Sequence, residues 1–340
     1  TNLLIQYYGS KNILNRTTEK FILKNFIKMV FLLFAVSIVA FALMTASPID
    51  PLKANVGQAA LGSMSQDQIA KLEEYWGVGQ PPVQRYLAWF RDFVRGDMGI
   101  SLLYRQKVTT VIAVKLANSL FLMIIAWILS GLIGFLLGVL AGMKRGKPID
   151  KIIKGYCLMI SSTPAFWIAM LMIFGVWLKI LPIGLSVPIG VEASGVTFLD
   201  RVRHAILPAL TLSITGISNI AMHTREKMID ICDSDYVLFA RARGESNWGI
   251  FRNHGFRNVL GPAMTLQFAS ISEIFGGSVL VEQVFSYPGL GQAAVSAGLG
   301  SDIPLLMGIT MISAAMVFAG NFIADILYEI IDPRMRRGAK

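Results

Sequence analysis

Charge is what this sequence has least of. Only 15% of its 340 residues are Asp, Glu, Lys or Arg, against roughly a quarter in soluble domains, and that excludes a large water-facing surface. Cysteine is nearly absent: Cys157 falls in an apolar stretch and Cys232 in a polar one, so neither a disulfide nor a metal-ligand spacing is expected. The three histidines, His204, His223 and His254, are scattered and read as ordinary polar residues. No G-x-x-x-x-G-K-[ST] run exists, so this chain has no phosphate loop with which to hold ATP. Internal repeats, low-complexity tracts and Gly/Ser linkers are also missing. An ion-gradient secondary transporter is a class built on internal repeats and paired broken helices, and the sequence shows neither. A membrane-embedded enzyme would need a nucleophile paired with a base, or a metal cluster. Ser161 and Ser162 have no histidine within an apolar run to serve them.

In place of charge there is apolar length. Apolar residues make up 54% of the chain, and a bilayer needs roughly 20 of them in a row per helix. Six such segments occur, at 26–46, 116–143, 152–178, 205–231, 259–284 and 303–328. Backbone polar groups left unpaired in lipid are too costly, so each reads as a helix; none alternates as a barrel strand would. The fold expected is an all-α integral membrane protein with six transmembrane helices. The fourth has the weakest pattern, because Pro208 sits early in it and its end is polar. The first is too long, and too poor in a cleavage site, to be a removed signal peptide. Thr1 stands where an initiator Met would, which reads as a trimmed start.

Of the 31 Lys and Arg, 20 gather in Lys11–Lys28, Lys144–Lys154, Arg225–Arg257 and Arg334–Lys340. Six alternating spans put these segments on one side, so the positive-inside rule places both termini in the cytoplasm. The net charge of +10 therefore reads as topology and not as a nucleic-acid surface. Segment 1–25 reads either as an amphipathic helix on the inner surface or as a loose tail. Segment 47–115 reads as a small external insertion. Within it Ser65 and Gln68 cap one helix, Gly77 to Pro82 turn, and Val83–Val94 forms a second. The Gly-rich connection 285–302 has the composition of a short re-entrant helix, and 329–340 is a cytoplasmic tail.

The inner segment 232–258 is unusual. Ser234 or Asp235 can cap a helix that Gly244 closes. On that helix Tyr236, Phe239, Ala240 and Arg243 share a face. Two readings fit: a knob for a groove on a partner protein, or a helix lying on the headgroups.

The segment resembles the cytoplasmic coupling motif of ABC importer permeases, in the branch serving dipeptides, oligopeptides and nickel. The matching residues are Asp235-Tyr236-Val237, Ala240-Arg241-Ala242-Arg243-Gly244, His254, Arg257-Asn258 and Pro262, with Arg243 where the branch has Lys. Other stretches resemble the branch in order along the chain. They are Pro48-Ile49-Asp50-Pro51, Gln80-Pro81, Arg85-Tyr86-Leu87 with Trp89, and Gly96 to Ser101, then Ser162-Thr163-Pro164-Ala165-Phe166-Trp167 and Leu207-Pro208-Ala209. Val281 to Gly291 and Asp332-Pro333-Arg334 complete the series. Met222 departs from it, standing where the family often has an Arg ahead of Arg225.

The resemblance covers residues 26 to 337. It implies a type I ABC importer permease fold and a non-catalytic pore subunit in a bacterial plasma membrane. It also implies a homologous second permease, two cytoplasmic ATPase subunits that hold ATP and Mg²⁺, and an external substrate-binding protein. Asp235, Tyr236, Phe239, Ala240, Arg241, Ala242, Arg243 and Gly244 would dock on an ATPase. Peptides are the expected substrate, with nickel or a metal chelate as the alternative. Selectivity normally belongs to the binding protein.

Glu273 is the clearest charge within a span. It reads either as a lining of the substrate path, facing an ammonium or other cation, or as a hydrogen-bond anchor between helices. Glu282, Ser162 and Pro164 are further path candidates, although Glu282 near the outer end of its span also reads as simply solvated. Pro164 and Pro208 are expected to kink their spans, and Asp325 to cap packing or pair with a basic neighbour.

Overall fold

The computed structural model describes residues 2–46, 64–76, 81–174, 181–182, 184–188 and 195–331. The Pro48–Pro51 motif, Gly77 to Gln80 of the expected turn, residues 175–178 of the third span and the Asp332-Pro333-Arg334 motif lie outside the described residues, as does the side chain of Asp325. In chain order the helices are α1 (Asn2–Ala46), α2 (Gln66–Trp76), α3 (Pro82–Val94), α4 (Val108–Met143), α5 (Pro148–Ser161), α6 (Ala165–Phe174) and α7 (Phe198–Cys232). They continue with α8 (Asp235–Ala242), α9 (Asn247–Ile250), a π-helical turn (Phe251–Gly255), α10 (Phe256–Ala269), α11 (Ile271–Val284), α12 (Leu290–Leu299) and α13 (Ile303–Ile331).

Four helices carry stretches long and apolar enough to cross a membrane: Leu23–Ala46, Val108–Met143, Phe198–Cys232 and Ile303–Ala324. Two bent pairs, α5 with α6 and α9–α10 with α11, bring the number to six when each pair is one span. The third span is therefore no straight helix. It breaks at Ser162–Pro164 with a bend of 107°, where Pro164 lacks the N–H that would continue α5. Pro208, by contrast, sits inside an unbroken α7. The fifth span bends by 48° at Ser270.

The chain folds as two compact units. In the first, residues 1–109 and 297–322, Ser65 and Gln68 exchange the reciprocal bonds of a capping box at the start of α2. Helix α3 packs on the first span. Tyr86, Trp89, Phe90 and Phe93, at i, i+3, i+4 and i+7, give it one aromatic face. That face lies along α1: Phe41 meets Tyr86 at 5.4 Å and Phe34 meets Phe90 at 5.6 Å between ring centroids. Ser37 hydroxyl is 2.8 Å from the Tyr86 hydroxyl. Phe34 is ~18 Å along the helix from Ala46 at 1.5 Å per residue, so α3 runs back alongside the span. In the same unit Asp302 is fully buried. It accepts from Ser101 Oγ at 2.6 Å, Leu103 N at 3.0 Å and Leu305 N at 3.1 Å, fastening the 101–105 turn to the start of α13.

The second unit, residues 110–296 and 323–340, is organised around α7, which packs on α5, α6, α10 and α11. The span with the weakest sequence pattern is thus the most buried of the four unbroken ones. It also starts earlier than expected, at Phe198, where Thr197 and Asp200 form a capping box. Four of its five Ser and Thr residues face protein and not lipid: Thr211, Ser213, Ser218 and Thr224 are buried. Along α4, Gly134, Gly138 and Gly142 repeat every four residues and press against Ile220, Thr224 and Met228. A Cβ on Gly138 would stand 2.5 Å from Thr224 Cβ and 2.6 Å from Ala221 O. Small residues at this spacing let membrane helices approach backbone to backbone. Trp127 Nε1 donates to Gln267 O at 2.8 Å and Gln267 Nε2 returns a bond to Trp127 O at 2.6 Å, which ties α10 to α4.

Glu282 closes the other end of this unit. Expected as solvated or path-lining, it has no exposed surface. Ser119 Oγ donates to it at 2.6 Å, Gly291 N at 2.8 Å and Gln292 N at 3.2 Å. The last two donors belong to the first turn of α12, a helix end suited to a carboxyl group. Ser119 also accepts from Leu290 N at 2.7 Å, and Asn118 Nδ2 donates to Pro288 O at 3.0 Å. Gly289 lies so close that any side chain there would collide with the Glu282 carboxyl. The adjoining Tyr287 phenol is pushed up to about 12, by burial first and then by the nearby Glu282 charge, so it stays neutral in the connection.

Two outcomes test these contacts. Gly138→Ala should lower the thermal midpoint of the detergent-solubilised protein, because overpacking costs about 1–3 kcal/mol. Gly155→Ala, whose Cβ meets nothing within 4 Å, should leave the midpoint level or raise it by helix propensity. Glu282→Ala should speed hydrogen exchange at the Gly291 and Gln292 amides relative to wild type; unchanged protection there would show that the clasp is not what orders α12.

Candidate functional site

The expected coupling helix is α8. Ser234 holds the N-cap position by its backbone, but its hydroxyl turns back to Ile231 O at 2.6 Å. Gly244, at φ +85°, takes the left-handed turn that ends the segment. Asp235 sits exposed in the first turn, where a negative charge is favourable. Arg241, Ala242 and Arg243 are exposed at the far end.

The helix has two faces, and the structure sorts them differently from the sequence pattern. Val237 and Ala240 point inward at 0% and 4% exposure. They join Val139, Met228, Ile231, Ile250, Phe251 and Val259 in one apolar cluster. Ala240 is thus an internal contact and not part of a docking face. The outward apolar residues are Tyr236 at 47%, Leu238 at 65% and Phe239 at 66% exposure, joined in the next helix by Trp248 at 63%. Leu238 and Trp248 were missed by reading one i, i+3, i+4 stripe. Their signal was bulk apolar residues in an otherwise charged segment.

A second missed element fixes this region. Asp150 and Arg225 form a bidentate pair at 2.6 and 2.9 Å, and Gly146 N adds a bond to Asp150 at 2.8 Å. The pair joins the start of α5 to α7 with side-chain exposures of only 5% and 15%. Arg145 reaches Asp233 at 2.7 Å, but both are exposed, and such pairs contribute little.

The path candidates divide. Glu273 is exposed and lines a recess of about 420 Å³ with Ser161, Thr163, Thr215, Asn219 and His223. Ser162 and Pro164 lie at the break between α5 and α6, where Ser162 Oγ donates to Leu158 O at 2.9 Å. Glu282 is brought to neither. A wider recess of about 750 Å³ lies between α7 and α10 and shares His223 with the first; Glu226, Lys227, Asp230 and Arg257 line it. His204 is apart from both, its Nδ1 3.0 Å from Gly184 O. Cys157 and Cys232 are free thiols.

Comparison with known proteins accounts for most of the chain. Residues 134–337 match the family of the binding-protein-dependent transport system inner membrane component, and residues 18–123 match its N-terminal region. The oligopeptide transport system permease protein AppB of Bacillus subtilis is 34% identical over 320 residues, covering 93% of this chain and 98% of its own length. A putative peptide transport system permease of Brucella abortus is 33% identical, covering 93% and 98%. The di/tripeptide transport system permease protein DppB of Pseudomonas aeruginosa is 31% identical, covering 89% and 94%. Full-length similarity of this kind, on a helical multi-pass chain, means that the protein belongs to the binding-protein-dependent transport system inner membrane components and is a permease subunit of an ABC importer.

Proposed function

We propose that this chain forms half of the translocation pore of a di- or oligopeptide importer. It works with a homologous second permease, two ATPase subunits on the cytoplasmic side and an external binding protein. Both termini lie in the cytoplasm and the membrane is the bacterial plasma membrane. The chain is non-catalytic: it contains no phosphate-loop motif, and ATP with its Mg²⁺ belongs to the ATPase chains. The peptide substrate rests on the relatives, which are named as peptide permeases.

One observation carries the coupling role: α8 is apolar on both faces. Val237 and Ala240 are buried in the chain's own cluster while Tyr236, Leu238 and Phe239 stand exposed beside Arg241 and Arg243. A solvated helix keeps its outer face polar. An outer face of this composition suits a partner groove, with aromatic anchors and Arg at the centre of the contact. Asp235 completes the segment at its start and Gly244 turns the chain out of it. Ala242, between the two arginines, leaves room for close approach.

Replacing Phe239 and Arg243 together by Ala should leave the protein inserted at its normal level but cost at least about 2 kcal/mol of ATPase docking, about thirtyfold in affinity. Uptake should fall accordingly. Normal uptake in that double variant, with insertion verified by surface labelling, sinks the coupling assignment. Supplying labelled short peptides and labelled nickel in parallel to cells lacking the chain, then complemented with it, checks the substrate class.

A further inference from the structure

Both broken spans open onto the same recess. Ser161 ends α5 and Thr163 lies in the break that follows it, Glu273 lies three residues beyond the break at Ser270, and all three line the 420 Å³ space beside α7. Helix α5 ends there, and a helix C-terminus is the negative pole of its macrodipole. Thr215, Ser218 and Asn219 add hydroxyl and amide groups. Among the described residues that line the recess Glu273 is the only carboxylate and no Lys or Arg is present; His223 is the other titratable group. One carboxylate amid neutral hydroxyls is too few hard ligands for a divalent cation, which gathers several carboxylates or carbonyls. It suits a single ammonium group, which donates three hydrogen bonds. Discontinuous membrane helices that present polar ends to a cavity are how transporters bind ions at membrane depth.

We propose that this recess receives the amino-terminal ammonium of a peptide in transit, with Glu273 as its counter-charge and Ser161, Thr163, Thr215 and Asn219 as neutral partners. The proposal rests on the peptide-importer reading above. Beyond the shared His223, the wider recess holds both signs of charge, Glu226 and Asp230 with Lys227 and Arg257, so the preference for a cation belongs to the Glu273 side alone.

The test uses the assembled importer in cells whose only copy of this chain is the variant. Uptake is measured with a labelled tripeptide bearing a free amino terminus. Glu273→Gln should lower the maximal rate about tenfold, the loss of a charge-assisted hydrogen bond. The half-saturation concentration, set by the external binding protein, should not change. Glu273→Asp should keep most of the rate. Glu273→Cys should regain uptake when labelled with a methanethiosulfonate carrying a sulfonate, and not with one carrying trimethylammonium. Wild-type rates in Glu273→Gln, or equal effects of the two reagents, overturn the site while leaving the peptide importer intact. Failure of the wild-type chain itself to restore peptide uptake overturns the underlying reading instead.

Discussion

Gly134, Gly138 and Gly142 allow α4 to touch α7 at the level of backbone and Cβ, with no side chain of α4 between them. In lipid there is no hydrophobic drive to press two helices together, so close approach and interhelical hydrogen bonds must do it. That contact centres α7 in its unit, and α5, α6, α10 and α11 pack around it. The same seam explains why so many hydroxyls are buried on α7: with helices on several sides, their environment is protein. Widening it at Gly138 would move Thr224 and, one turn on, Met228, which is the floor of the cluster beneath α8.

Coupling of α8 to the rest of the unit follows from that cluster. Val237 and Ala240 share it with residues of α4, α7 and α10, so a displacement of α8 cannot be absorbed by α8 alone. Close-packed interiors transmit strain and do not flow around it. The Asp150–Arg225 pair ties α5 into the same region from the other side. Removing one member would leave its partner largely buried and uncompensated, the situation in which ion pairs matter most.

What was legible in the sequence was local. The capping box at Ser65 and Gln68, the Gly244 turn and the break at Pro164 each depend on a few adjacent residues, and each formed. What was not legible depended on partners far away in sequence. The fourth span read weakest because Pro208 sits early in it and its end is polar, yet Thr211, Ser213, Ser218 and Thr224 along it are shielded by neighbouring helices. Ala240 was assigned outward because an eight-residue helix offers little periodicity, and Ile250, Phe251 and Val259 decide which face turns in. Glu282 read as solvated until Ser119, 163 residues earlier, supplied its partner. Thr197 and Asp200 did carry a local signal for the start of α7, but it lay outside the apolar run that defined the span.

Helix α7 also joins the two proposed sites. Asn219 and His223 on it line the Glu273 recess, while Met228 and Ile231 on it belong to the cluster that holds α8. From Asn219 to Cys232 is ~20 Å of uninterrupted helix at 1.5 Å per residue, with no proline or glycine after Gly216 to let it hinge. The breaks in this unit fall elsewhere, at Ser162–Pro164 and Ser270, in the other spans that line the recess. With a stiff rod on one side and jointed spans on the other, a push on α8 under the proposed coupling role would reach the recess through α7 without bending it. The jointed walls carry Ser161, Thr163 and Glu273, the groups that a cation held in the proposed site would have to leave.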